Sequence, residues 1–136
     1  MIQIIAGKKG SGKTKRLIDM TNQAAIENGH DVIFLDVDNS YMFDIDHNVR
    51  FINVQEYHVR NSDMFLGFLC GMLSQNFDIG TVFIDAFLKM SKKTKEDCED
   101  LLTSMYELCT KNNVNFVLSF GAEPEELPEF ARAWVI

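Results

Sequence analysis

Apolar residues along the chain come in short runs separated by polar, glycine-marked gaps, and two periods alternate: strand-like runs of five or six, then longer stretches at helical spacing. Residues 2–6 (Ile-Gln-Ile-Ile-Ala) read as a short buried strand, closed by the loop Gly7-Lys8-Lys9-Gly10-Ser11-Gly12. A helix over residues 13–28 is predicted next, with Leu17, Met20, Ala24 and Ala25 on one face and Asn28-Gly29 as its stop. Residues 32–36 form a second strand, whose unbroken apolar run suits a parallel sheet covered on both faces. Residues 37–48 are acidic, aromatic and irregular, and read as a loop.

Residues 50–54 read as a third strand. Ser62 and Asp63 then open a helix through Gln75, in which Phe65, Phe68, Leu69, Met72 and Leu73 keep the helical period. Residues 81–85 are a fourth strand, ending in Asp85. Thr94-Lys95-Glu96-Asp97 has the form of a capping box, opening a helix to Lys111 with Leu101, Leu102, Met105, Leu108 and Cys109 inward. Residues 114–120 are a fifth strand, and residues 133–136 a last edge strand after a tail holding Pro124, Pro128 and four glutamates. Strands alternating with helices through short turns mean an α/β fold. The expectation is one domain over residues 1–136: a three-layer α/β/α sandwich with a mostly parallel sheet of about five strands.

Composition narrows the function. At 46% hydrophobic and 24% charged, 136 residues supply a core for one ordinary domain. Thirteen Lys and Arg against twenty Asp and Glu give a formal charge of −7, which argues against sequence-independent binding to nucleic acid or an anionic membrane. The longest apolar stretch, residues 64–73, is about half of the ~20 residues a membrane span needs. The first residues lack the basic and long apolar regions of a leader. Three cysteines, Cys70, Cys98 and Cys109, form no C-x-x-C pair, so a cytoplasmic, reducing setting is expected.

The chemistry sits in Gly7-x-x-x-x-Gly12-Lys13-Thr14, which fits G-x-x-x-x-G-K-[ST] at every defined position. Glycines let the backbone turn so that several N–H groups meet one anion, and the following helix adds its free N–H groups and positive dipole end. Chance would produce these four positions in well under about 1 in 100 chains of this length. Strand before and helix after are the context the mechanism requires. The second element is Thr81-Val82-Phe83-Ile84-Asp85, a strand whose C-terminal carboxylate would border the same crevice. Taken alone it is weak, because residues 32–36 also end in an aspartate, Asp36.

On these residues the chain resembles the P-loop nucleoside triphosphatases, with Walker A at residues 7–14 and Walker B at residues 81–85. The resemblance implies a nucleoside triphosphate, ATP or GTP, bound with Mg²⁺ at the C-terminal edge of the sheet. Gly7, Lys8, Lys9, Gly10, Ser11, Gly12, Lys13, Thr14 and Lys15 would cradle the phosphates; Lys13 would reach the β- and γ-phosphates; Thr14 and Asp85 would place the metal. Element order further resembles the RecA-like, additional-strand class, in which residues 114–120 would lie between the Walker strands. Ser119 would then take the polar position that senses the γ-phosphate, making Lys13, Asp85 and Ser119 the catalytic set. An ordinary buried serine is the alternative.

Departures from the family bear on activity. Its ATPases usually follow the Walker B aspartate with a glutamate that orients water, and here Ala86 stands there. Asp36, Asp38 or Glu123 would have to serve instead. The guanine-reading N-K-x-D motif is absent, which favours adenine, and a kinase lid is missing. Arg50 or Arg132 could act across an oligomer interface, with a protein partner or a second copy completing the site. The expected function is Mg²⁺-dependent ATP hydrolysis. The alternatives are a non-hydrolysing ATP-dependent switch or assembly module, which Ala86 favours, and a small-molecule kinase.

Several other features carry little chemistry. The acids of residues 36–46 fail the calcium-loop pattern, with Tyr41 and His47 where glycine and glutamate are needed, and read as a solvated acidic loop; a partner- or substrate-reading loop beside the nucleotide crevice is the alternative. His30, His47 and His58 have no ligand spacing. Four lysines within residues 89–95 read as a solvated helix start, with a phosphate- or nucleic-acid-contacting loop as the alternative.

Overall fold

A computed structural model describes residues 1–27 and 29–136. Five strands, β1 (Ile2–Ala6), β2 (Asp31–Asp36), β3 (Arg50–Asn53), β4 (Ile79–Ile84) and β5 (Asn115–Phe120), form one sheet in the order β1-β5-β4-β2-β3. Every pairing is parallel. Among the described residues, four α-helices accompany them: α1 (Lys13–Ile26), α2 (Ser62–Gln75), α3 (Phe87–Ser91) and α4 (Glu99–Asn112). The fold is the expected α/β sandwich, with β5 inserted between β1 and β4.

Alternation along the strands divides the core in two. Ile2, Ile4, Leu35, Val82, Ile84, Phe116 and Leu118 face α2, α3 and α4, and pack with Phe65, Leu69, Phe87, Leu102 and Met105. Ile5, Val32, Phe34, Phe83 and Val117 face the other way, onto Leu17 and Ile18 of α1 and onto Ile45 and Val49 of the loop after β2. One face therefore carries three helices and the other carries α1 plus that loop. Parallel register brings Ala6, Phe120, Ile84 and Asp36 to the same edge of the sheet. No helix among the described residues is long and apolar enough to cross a membrane.

Boundaries shift where local hydrogen bonding outcompetes pattern. Helix α1 ends at Ile26, and the stop expected at Asn28 lies outside the described residues. The cap of α2 is Asn61 rather than Ser62 or Asp63, its Oδ1 accepting from the Met64 N–H at 2.8 Å. Residues 94–97 do close on themselves, with the Asp97 carboxylate accepting from the Thr94 N–H and hydroxyl at 2.6 and 2.8 Å. They form a turn, however, and α4 starts only at Glu99, so the capping pair tightens the approach to the helix instead of opening it. Lys89 belongs to α3, a one-turn helix the pattern did not predict. The expected edge strand at residues 133–136 reduces to a single bridge, Ile4 with Val135, after a 3-10 turn over Glu129–Trp134.

Candidate functional site

The glycine loop leaves β1 at the sheet's C-terminal edge and is tied there by the Gly7 N–H, which donates to the Phe120 carbonyl at the end of β5 (3.3 Å). A side chain at position 7 would collide with the Ser11 hydroxyl, 2.5 Å from where its Cβ would stand. Gly10 and Gly12 hold φ of 83° and 85°, the left-handed region in which an L-residue costs roughly 1–2 kcal/mol. These turns return the chain to the edge, where Gly12 caps α1 without a side-chain acceptor. The first N–H groups of the helix consequently have no intrahelical partner.

Charge at this helix end runs against the usual preference. Acids stabilise a helix N-terminus and cations oppose its dipole, yet the first turn of α1 has no acid and holds Lys13, Lys15 and Arg16. With Lys8 and Lys9, five of the chain's thirteen Lys and Arg gather within nine residues. Lys15 pairs with Asp19 at 3.0 Å, and Arg16 donates to the Ile136 carbonyl. Lys13 Nζ arcs back to the Lys8 carbonyl at 2.8 Å, so its ammonium lies over the loop. An acidic protein that concentrates cations at a positive dipole end has an arrangement suited to an anion.

Thr14, Asp85 and Ser119 meet beside this loop. Thr14 Oγ1 donates toward Asp85, 3.2 Å from each carboxylate oxygen, and Ser119 Oγ donates to Asp85 Oδ1 at 2.6 Å. Ser119 accepts in turn from the Ala86 N–H at 2.8 Å. Asp85 is buried immediately after β4, and its own N–H bonds to the Leu35 carbonyl of β2. Thus two strands and a helix fix one carboxylate. Ala86 sits at φ 51°, ψ 52°, a left-handed turn that takes the chain off β4 into α3. A hydroxyl and a carboxylate are the donors that Mg²⁺ accepts when phosphate oxygens and water complete its octahedron. No cluster of three His, Cys, Asp or Glu suited to a metal occurs among the described residues.

The neighbouring carboxylate, Asp36, ends β2 and is 3% exposed. Its Oδ1 accepts from the Val37 N–H at 2.7 Å, whereas Oδ2 is buried with no partner among the described residues. Burial drives its pKa up to about 7, assisted by the charges of Asp85 and Asp38 and opposed by the Val37 N–H and Lys89. Asp38 is exposed, and the Ser40 backbone N–H holds its carboxyl below the usual range. Glu123 opens the 3-10 turn Pro124–Glu126. Of the three acids suggested as water-orienting groups, only Asp36 is both buried and short of a partner.

The two arginines suggested as fingers are placed differently. Arg132 donates to the Glu125 and Leu127 carbonyls, which commits its guanidinium to the C-terminal segment. Arg50 starts β3, at the opposite end of a parallel sheet from the glycine loop. Two cavities meet at Lys9, Lys13 and Thr14: one of about 320 Å³ reaching Asp85, Ser119 and Lys89, and one of about 860 Å³ running along α1. The second involves Tyr41, from the loop after β2, and Asn22, which the sequence did not single out because a mid-helix asparagine carries no motif. Neither a protein-family model nor a curated protein sequence matches the chain.

Proposed function

We propose that the protein binds ATP with Mg²⁺ in the glycine loop and hydrolyses it to ADP and phosphate. The observation that carries the reading is the loop itself: two left-handed glycines deliver an uncapped, cation-rich helix end to the sheet edge, directly beside the Thr14–Asp85 pair. Backbone N–H groups of residues 8–14 would take the phosphate oxygens and Lys13 would swing from the Lys8 carbonyl to the β- and γ-phosphates. Thr14 and Asp85 would hold the metal, with Ser119 keeping the carboxylate in register. Mg²⁺, when bound, neutralises charge developing on the transferred phosphoryl group.

In this reading Asp36 replaces the glutamate that Ala86 displaces. An unpartnered buried oxygen with a pKa near 7 suits a group that accepts a proton from water at neutral pH. Adenine is preferred because the sequence lacks the guanine-reading motif. A cytoplasmic, reducing setting belongs to the same reading, on three cysteines that form no C-x-x-C pair. Phosphate release from ATP, with water as the only acceptor, tests the proposal: steady Mg²⁺-dependent turnover is expected. Tight binding with no release would favour the non-hydrolysing switch that Ala86 suggests, and release only with an added hydroxyl acceptor would favour a kinase.

A further inference from the structure

The cleft along α1 has two built walls. On one side stand Ile18 and Asn22 of the helix, and on the other Tyr41 and Asp44 of the loop after β2. Asn22 staples the walls together: its Nδ2 donates to the Asp44 carbonyl at 2.9 Å, and its Oδ1 accepts from the Asp46 N–H at 2.8 Å. Ile45 and Val49, buried under α1, anchor the loop from below. The Asp44 N–H closes a turn onto the Tyr41 carbonyl at 2.9 Å, which fixes the backbone that carries the aromatic ring. This segment, irregular in sequence, is thus held in place on three counts.

Charge gives the cleft a direction. The end it shares with the glycine loop carries Lys9 and Lys13, while the far end carries Asp44 and the Lys15-paired Asp19. A polyphosphate is drawn to the first end and repelled from the second. The far end offers an aromatic ring, an aliphatic side chain and carboxylates that accept from hydroxyl or amino groups. Resting on the proposed function, we infer that this end is the nucleoside subsite, with a purine stacked on Tyr41 against Ile18 and its hydroxyl and amino donors directed to the acids. A cleft of about 860 Å³ falls within the ~300–1,000 Å³ range of small-molecule sites.

The test compares ATP with inorganic triphosphate, each with Mg²⁺, by calorimetric titration of the parent protein, Tyr41→Ala and Tyr41→Phe. The inference expects the parent to bind ATP about ten-fold or more tightly than triphosphate, the gain a stacked base gives. Tyr41→Ala should remove that advantage and leave triphosphate affinity unchanged, while Tyr41→Phe keeps both. Equal loss for both ligands in Tyr41→Ala would make Tyr41 a scaffold residue and overturn the subsite. So would triphosphate bound as tightly as ATP by the parent, which would spare the phosphate cradle. Neither ligand binding would overturn the cradle itself and the subsite with it.

Discussion

Asp85 and Asp36 stand at the ends of neighbouring strands, β4 and β2, each closing an apolar run at the same edge of the sheet. Both are buried, and their surroundings differ in one respect. Asp85 receives the hydroxyls of Thr14 and Ser119, so both of its oxygens have donors. Asp36 receives one backbone N–H and leaves its second oxygen without a donor among the described residues. Hydrogen-bond supply thus separates two chemically identical groups: Asp85 has hydroxyl donors at its oxygens, whereas burial without a second donor pushes the pKa of Asp36 up to about 7. Leaving that oxygen buried without a donor costs stability, and it is this cost that the proposed role of Asp36 would account for.

Removing Asp85 should have the largest effect. Asp85→Asn is expected to lower turnover on the order of a thousand-fold and to abolish the Mg²⁺-dependent part of ATP affinity, leaving metal-free binding nearly intact. Calorimetry with and without Mg²⁺ checks this; equal losses in both conditions would make Asp85 a structural group. Asp36→Asn should lower turnover about a hundred-fold while ATP affinity changes little, as read from phosphate release beside titration. Unchanged turnover would return the search for a base to Asp38 and Glu123.

The subtlest contrast is in stability. Because the pKa of Asp36 is raised in the folded chain, between about pH 4 and pH 7 the folded state keeps a proton that the unfolded state has released. This group therefore makes the fold less stable as pH rises through that window. Asp36→Asn lacks the slope, so it should melt close to the parent at pH 4 and several degrees higher at pH 8. Parallel melting curves across that range would show that Oδ2 is solvated after all.

How much of this was legible in sequence follows from what each feature depends on. Strands and helix faces depend on local period, and the runs at residues 2–6, 81–85 and 114–120 located β1, β4 and β5 to within two residues. The glycine loop was legible because its spacing carries its own mechanism. By contrast, the cap of α2 depends on which of three adjacent polar residues reaches the Met64 N–H, and the pattern does not distinguish Asn61 from Ser62 or Asp63. At Thr94 only half of the expected capping box forms, the Thr94 N–H donating to the Asp97 carboxylate, and it closes a turn rather than opening a helix. Asp36 and Asp85 look alike in sequence, and only tertiary contacts supply Thr14 and Ser119 to one and withhold donors from the other. The cleft wall at Tyr41 depends on Asn22, 19 residues earlier, and long-range staples of this kind leave no local trace.

The most direct measurement is calorimetric titration of ATP, with and without Mg²⁺, into the parent protein and Lys13→Ala. Lys13 makes its side-chain bond only to the loop carbonyl of Lys8 among the described residues, so its removal should leave the fold standing. The account predicts Mg²⁺-enhanced binding by the parent and a loss of at least about a hundred-fold in Lys13→Ala. Equal affinity in the two proteins, or no binding by the parent, would contradict it.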